Sequence, residues 1–491
     1  MNYRIICHFL GRIMGVEALL MLPALGISLY QREMEAVRGF LIAIAALLVL
    51  GLLSALSRPK NKSFYNREGF VIVGLSWILV SVFGALPFCL SGWIPNFVDS
   101  IFETVSGFTT TGASILTDIE VLPLGLLYWR SFTHWLGGMG VLVFLLAIVP
   151  MNQRGSGNSL HVLRAESPGP QVGKLVPRLH QTAKILYGIY LVMTVVQILL
   201  LLAGSVPLFD AVTISFGTAG TGGFAIKNDS LAGYSPYAQT VVTIFMALFG
   251  VNFNIFYLLL IRAFSKVFFN EELRAYLAIM LGSTLLIAWN IYELFDENFG
   301  QALHHAAFQV SSIMTTTGYA TVDFNTWPEF SRLLLVVLMI LGASAGSTGG
   351  GIKISRLLIL LKSARNTVVR LLHPRAVKVA RLDGETLDHE VVRGVNGFMT
   401  LYCLVAILSS LIISVDNFSF ETNITAVLAC LNNIGPGLGI VGPIGNYADF
   451  SPFSKLVLSA DMLIGRLEIF PMIILFAPSV WKNSIPRPAA S

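Results

Sequence analysis

Ten apolar stretches of about 20 residues, the length that crosses a bilayer as a helix, recur along the 491-residue chain. They centre near residues 20, 47, 80, 138, 193, 250, 283, 345, 403 and 467. Only helices or closed barrels satisfy their backbone polar groups in lipid, so the expected fold class is an all-α polytopic membrane protein. Composition agrees, with 55% hydrophobic and 12% charged residues, about half the charge of a soluble domain. This excludes a soluble enzyme, a disordered chain and a nucleic-acid binder, despite a net charge of +5. The first run, Phe9 to Tyr30, lacks a small-residue cleavage site and reads as a span, not a secretory signal. Cys7, Cys89, Cys403 and Cys430 lie in apolar stretches without a CxxC pair, as buried small hydrophobes would.

Four further apolar segments, near 98–111, 207–221, 301–317 and 420–434, are only about 14 residues long and suit re-entrant helices. Each ends in a related sequence. The first is Val105-Ser106-Gly107-Phe108-Thr109-Thr110-Thr111-Gly112-Ala113, and the second ends Gly220-Thr221-Gly222-Gly223. The third ends Thr315-Thr316-Thr317-Gly318, and the fourth Asn432-Asn433-Ile434-Gly435. Aligning Gly112, Gly222, Gly318 and Gly435 gives intervals of 110, 96 and 117 residues, each with room for span, short segment, span. Repeats at this spacing imply four copies of one unit about a common axis. We expect four channel-like repeats around one pore, over 61–152, 175–266, 271–365 and 391–491. Two extra N-terminal transmembrane helices occupy 1–60, and a cytoplasmic basic segment occupies 366–390.

An ion crossing the bilayer must exchange its water shell for oxygens, and backbone carbonyls in a narrow pore supply them. Turning such carbonyls inward demands unusual dihedrals, which glycine tolerates. A single Thr-Thr-Thr-Gly would equally suit a helix C-cap. Four copies, each after a short apolar segment and before an acidic outer loop, point to a selectivity filter. The candidate cation-binding residues are Thr110, Thr111 and Gly112; Gly220, Thr221 and Gly222; Thr316, Thr317 and Gly318; and Asn433, Ile434 and Gly435. Most Lys and Arg residues fall in segments on one side of an even span count, including Arg58, Lys60, Lys62, Arg67 and the stretch from Lys353 to Arg393. By the positive-inside rule both termini are cytoplasmic. The opposite loops carry acids such as Asp99, Asp118, Asp210 and Asp323, which are either cation-concentrating or ordinary solvated positions.

Several passages together resemble the TrkH branch of the Trk/Ktr/HKT potassium-transporter superfamily over essentially the whole chain. They are Asn66 to Phe70 (NREGF), Gly137 to Gly140 (GGMG), Arg164 to Pro170 (RAESPGP), Gly346 to Lys353 (GSTGGGIK), Asn432 to Gly439 (NNIGPGLG) and Gly465 to Glu468 (GRLE). The two extra N-terminal spans favour TrkH over the shorter Ktr relatives. The resemblance implies a potassium pore of four linked repeats, a homodimer in a bacterial inner membrane, and a TrkA-like cytosolic regulatory ring. The nucleotide, ATP or NAD, would sit on that ring; no cofactor is expected on this chain, and the transported ion is K+. In plant HKT relatives a serine at the first filter position accompanies sodium transport, and here that position is Gly112.

Ser344 to Gly351 interrupts an apolar run with residues that sustain a helix poorly. Close helix packing through small residues is one reading, whereas a phosphate loop lacks the required G-x-x-x-x-G-K-[ST] spacing. A flexible break lining the pore is preferred, and in relatives this region is an intramembrane gate. Its candidate residues are Gly346, Ser347, Thr348, Gly349, Gly350, Gly351, Lys353 and Arg466. Arg466 lies deep in the last span, where a charge faces a cavity or partner. Asp461 and Glu468 are not at favourable helical spacing from it. We place it below the filter, beside the loop. Glu103, one turn before the first filter segment, either holds that segment by hydrogen bonding or lies at the surface. The basic run Lys362, Arg365, Arg370, Arg375, Lys378 and Arg381 either touches anionic lipid or docks the ring. A symporter would need in-span carboxylates, for which Glu17, Asp461 and Glu468 are the candidates. No convergent constellation marks an enzyme.

Overall fold

Length and apolarity suffice for bilayer crossing in six helical segments of the computed structural model, which describes residues 2–55, 66–140, 179–374 and 379–481. These are Tyr3–Tyr30, Met34–Ser54, Glu68–Ser91, Lys184–Ala203, Glu271–Phe295 and His389–Asp416. Arg58, Lys60, Lys62, the 164–170 passage, Arg375 and Lys378 lie outside the described residues, as do the domain limits at 1, 60, 61, 152, 175 and 491. Of the expected span near 138, Leu124–Gly138 is described. The other three expected spans are not straight. Near 250, Pro236–Phe249 and Phe253–Leu260 meet at 90°. Near 345, Glu329–Leu341 and Ile354–Leu372 flank an irregular stretch. Near 467, Pro452–Arg466 stops and Phe470–Phe476 resumes.

Each break needs partners for its backbone, because none is available from lipid. At the first, Asn252 caps the new helix by accepting from the Asn254 amide at 3.0 Å. The second carries positive φ at Gly342, Gly346 and Gly351. These two breaks satisfy each other: the Ser344 amide donates to Gly250 O at 3.1 Å and the Phe253 amide to Gly346 O at 3.1 Å.

The four short apolar segments are helices Phe97–Phe108, Leu208–Gly220, Phe299–Met314 and Phe420–Leu431. Their arrangement closes on itself. Leu208–Gly220 packs on Leu124–Gly138, and Phe299–Met314 packs on Pro236–Phe249. Phe420–Leu431 packs on Glu329–Leu341, and Phe97–Phe108 returns to Pro452–Arg466. Every short helix thus leans on the second long helix of the preceding repeat, and the fourth repeat meets the first. The N-terminal helices Tyr3–Leu20 and Met34–Ala55 pack on each other, and Tyr3–Leu20 packs on Asn66–Gly84.

The segment expected to be a basic cytoplasmic linker is more ordered than its charge suggested. The helix Ile354–Leu372 runs into it, and strands Arg381–Leu382 and Glu385–Thr386 pair antiparallel. Their turn, Asp383-Gly384, has φ of 52° and 83°, the conformation that lets a two-residue hairpin follow strand twist. The cysteine expectation holds for Cys430, which is buried; Cys7 and Cys403 are exposed on apolar helices.

Candidate functional site

All four short helices end in the same hydrogen-bonded cap. Thr110, Thr221, Thr316 and Asn433 have φ of 56°, 53°, 59° and 56°. Their amides donate to Gly107, Thr218, Ile313 and Cys430 at 3.0–3.2 Å. The following amides, of Thr111, Gly222, Thr317 and Ile434, reach back to Ser106, Gly217, Ser312 and Ala429, each at 2.8 Å. This is the Schellman pattern, in which glycine ordinarily takes the left-handed residue. Here three β-branched threonines take it, at a cost of order 1–3 kcal/mol each. The C-cap that a single copy of the motif would suit is present at all four of the segments expected to form a filter. The cap turns the chain sharply at the helix end, where the helix dipole is negative and favours a cation.

Two residues after each left-handed position stands a glycine with φ between 75° and 94°: Gly112, Gly223, Gly318 and Gly435. Side-chain space at these positions is filled by the neighbouring repeat. A Cβ on Gly112 would lie 2.0 Å from Gly222 O, and one on Gly223 would lie 1.9 Å from Thr317 O. On Gly318 it would lie 2.1 Å from Ile434 O, and on Gly435 2.7 Å from Thr111 O. Repeat 1 touches 2, 2 touches 3, 3 touches 4, and 4 touches 1. The second repeat therefore needs a correction of one residue: Gly223, not Gly222, matches Gly112, and Gly220 belongs to the end of the short helix. Gly222 stands where the other repeats have Thr111, Thr317 and Ile434. The His134 ring occupies its side-chain space: a Cβ on Gly222 would lie 2.2 Å from His134 Nδ1.

Directly against this ring lies the glycine-rich break. The Gly350 amide donates to Thr316 Oγ1 at 2.6 Å. A Cβ on Gly350 would meet Asn432 O at 2.2 Å, and one on Gly349 would meet Thr315 O at 2.8 Å. Arg466 joins the loop to the ring. Its Nη1 donates to Thr348 O at 2.8 Å and to Thr110 Oγ1 at 3.2 Å, and its Nη2 to Gly137 O and Gly138 O at 2.6 and 2.7 Å. Lys353 is buried, and its Nζ donates to Gly349 O. Ser347 Oγ donates to Ser344 O at 2.6 Å, within the loop. Gly346 lies against the Asn252 side chain, and Gly351 lies against Gly342. Neither in-span acid near Arg466 in sequence is among these contacts: Asp461 accepts from Ser409 Oγ at 2.7 Å, and Glu468 pairs with Arg356.

Glu103 is buried, and its hydrogen bonds fall not on the Thr110–Gly112 segment that one of its two sequence readings named but on the residues just after it. It accepts from Ser114 Oγ at 3.0 Å, the Ile115 amide at 3.0 Å and Arg130 Nε at 2.6 Å. Arg130 also donates to Ala225 O at 2.7 Å, which ties the first repeat to the second.

Sequence reasoning missed Glu272. Its Oε1 accepts from the Ala345 amide at 2.7 Å and the Ser355 amide at 3.2 Å, so one carboxylate grips both ends of the loop. In the sequence Asn270-Glu271-Glu272 it looks like an ordinary acid in a helix's first turn, where acids complement the dipole. The hairpin of residues 381–386 joins at the same place. Asp383 accepts from the Glu271 amide at 2.7 Å and Asn270 Nδ2 at 2.8 Å, and Lys362 pairs with Glu271 while donating to Arg381 O at 2.7 Å. One of the basic residues expected to touch lipid or a partner is thus engaged within the chain.

Residues 34–483 match the family model of TrkH, described as a cation transport protein. The Trk system potassium uptake protein TrkH of Salmonella typhimurium is 37% identical, with 98% of this chain and 100% of that protein covered. The Trk system potassium uptake protein TrkG of Escherichia coli is 31% identical, covering 98% and 99%. Among solved structures, the potassium transporter TrkH from Vibrio parahaemolyticus superposes with a TM-score of 0.87 at 32% identity, covering 98% of this chain and 100% of that one.

Proposed function

The chain belongs to the TrkH family of cation transport proteins, and on that premise we propose that it takes potassium into a bacterial cell across the inner membrane. The curated relatives are named as potassium uptake proteins. The observation that carries the reading is the closed contact of four identical helix caps, each bringing backbone oxygens to one ring. A dehydrated cation needs such oxygens. The membrane potential supplies about 2.3 kcal/mol per charge per 100 mV, which drives accumulation without a catalytic group. The selectivity filter comprises Thr110 to Gly112, Thr221 to Gly223, Thr316 to Gly318 and Asn433 to Gly435.

In the same proposal the Gly346–Gly351 loop, Lys353 and Arg466 form the gate. Arg466 places a positive charge against Thr110 while its hydrogen bonds fasten the loop. A TrkA-like nucleotide-binding subunit, holding ATP or NAD, would act from the cytoplasmic side, on a homodimer with both termini inside. Symport coupled to protons or sodium is the second reading. It is favoured by Glu17, whose carboxyl is buried without a hydrogen-bond partner among the described residues.

Growth of an uptake-deficient bacterium at limiting potassium, with and without the regulatory subunit, tests transport and control together. Rescue by the pair is expected, and no rescue under either condition refutes the reading. In liposomes, Arg466→Ala and deletion of the loop should each raise rubidium flux through the isolated protein. If both variants fold yet conduct no more than wild type, the loop and the arginine are not the gate.

A further inference from the structure

The last long helix breaks immediately after Arg466, and the break is strained. Pro452–Arg466 ends in a cap with Glu468 at φ 58°, its amide on Gly465 O at 3.2 Å and the Ile469 amide on Ile464 O at 2.8 Å. Ile469 then has φ 64° and ψ −57°, and the Phe470 amide donates to Glu468 O at 2.7 Å across it. That is a γ-turn of the rare positive-φ form, centred on a β-branched residue for which positive φ is an outlier. Such conformations persist only where their surroundings impose them. One side chain reaches this turn from another repeat.

Arg356 pairs with Glu468 across 112 residues of sequence. It sits in the first turn of Ile354–Leu372, the helix that leaves the loop, and its side chain is buried. Three contacts fix the guanidinium: Nη1 donates to Ile352 O at 3.1 Å, Nη2 binds Glu468, and the group lies 4.0 Å from the Phe398 ring centroid. Ile352 is the second residue after Gly350, which touches the ring. The loop's exit is itself strained, since Lys353 has φ 80° and ψ 138°. Both strained segments, on different repeats, therefore converge on one arginine.

We infer that the Arg356–Glu468 pair is a latch that ties the strained turn after Arg466 to the helix leaving the Gly346–Gly351 loop, so that arginine and loop move as one unit. The inference rests on the gate reading above for its effect on flux, but not for the coupled motion. Displacing Ile354–Leu372 from the cytoplasmic side pulls Glu468 through Arg356. The turn relaxes and Arg466 shifts away from Thr110 as Gly350 leaves Thr316. Without the latch, neither the loop nor Arg466 is held in its closed position by the other, and both loosen.

Charge reversal tests this with two readouts. Arg356→Glu and Glu468→Arg should each raise rubidium flux through the full-length protein in liposomes by about tenfold, since each sets two like charges together in a part-buried site. The double variant R356E/E468R should return flux toward wild type. Hydrogen exchange should rise in 344–353 and 464–470 together in each single variant and fall back in the double. Glu468→Gln, similar in volume, serves where reversal prevents folding. Exchange unchanged in both segments, or raised in only one, overturns the latch. Exchange raised in both with flux unchanged upholds the coupled motion and refutes the gate reading instead.

Discussion

A side chain at position 112 has no room: its Cβ would lie 2.0 Å from a carbonyl oxygen of the next repeat, and the backbone there has φ 80°. Gly112→Ser must therefore move the first repeat away from the second or strain its own backbone by about 1–3 kcal/mol. Either response widens the ring on one side, and a wider ring compensates less for the lost hydration of potassium relative to sodium. Weaker discrimination against sodium is expected, read as the ratio of sodium to rubidium flux in liposomes, and Gly223→Ser should reproduce it. An unchanged ratio in both variants would show that these glycines do not set selectivity. The pairing of Gly223 with Gly112 was not legible in sequence, because Gly220-Thr221-Gly222-Gly223 offers more than one glycine to align. What separates them is His134, from another helix, whose ring fills the place of a side chain on Gly222. The three threonine-rich or asparagine-bearing triplets could be placed directly, since a polar residue followed two positions later by glycine survives in each.

Short and long helices were legible to different degrees. The short ones announced themselves because an apolar run too short to cross must turn back, and each ends at a cap visible as a polar residue and glycine. Breaks in the long helices were legible only where glycine accumulates, as at 342–351. The break after Arg466 has no glycine within it, only Gly465 before and Pro471 after, and the contact made there, Arg356 on Glu468, comes from another repeat. Contacts that hold an element from outside are the least legible of all, and Glu272 is the example. Because its carboxylate accepts the Ala345 and Ser355 amides together, Glu272→Gln keeps the shape and removes the charge. Hydrogen bonds to a charged group are worth about 1.5–3 kcal/mol, so the loop should loosen and basal rubidium flux should rise by about tenfold. Flux equal to wild type would mean that the Glu272 charge does not hold the loop closed. Asp383 belongs to the same assembly, since it caps the residues just before Glu272.

At the scale of the whole molecule, the ring exists only because one chain carries all four repeats, with Gly435 closing against Thr111. The site that would bind the transported ion is therefore distributed over distant sequence, and of the three candidate coupling carboxylates Glu468 is engaged in an ion pair with Arg356, while Glu17 and Asp461 face elsewhere. Glu17 faces Ile13, Val16, Leu20, Val80, Phe108 and Leu136, an apolar surround between the N-terminal helix and the outside of the first repeat. Asp461 turns to Ser409 on the helix His389–Ile413. A coupling ion would have to reach one of these carboxylates, and among the described residues neither is hydrogen-bonded to the ring or the loop. Uptake should consequently follow the membrane potential alone. With about 2.3 kcal/mol per charge per 100 mV and 1.4 kcal/mol per tenfold ratio, roughly 60 mV sustains each tenfold of accumulation. The measurement is the reversal potential of the open Arg466→Ala variant in liposomes under potassium gradients. It should shift by about 60 mV per tenfold potassium ratio, stay put when a proton or sodium gradient is imposed, and be unaltered by adding Glu17→Gln or Asp461→Asn. A shift with the proton gradient that Glu17→Gln abolishes would establish symport.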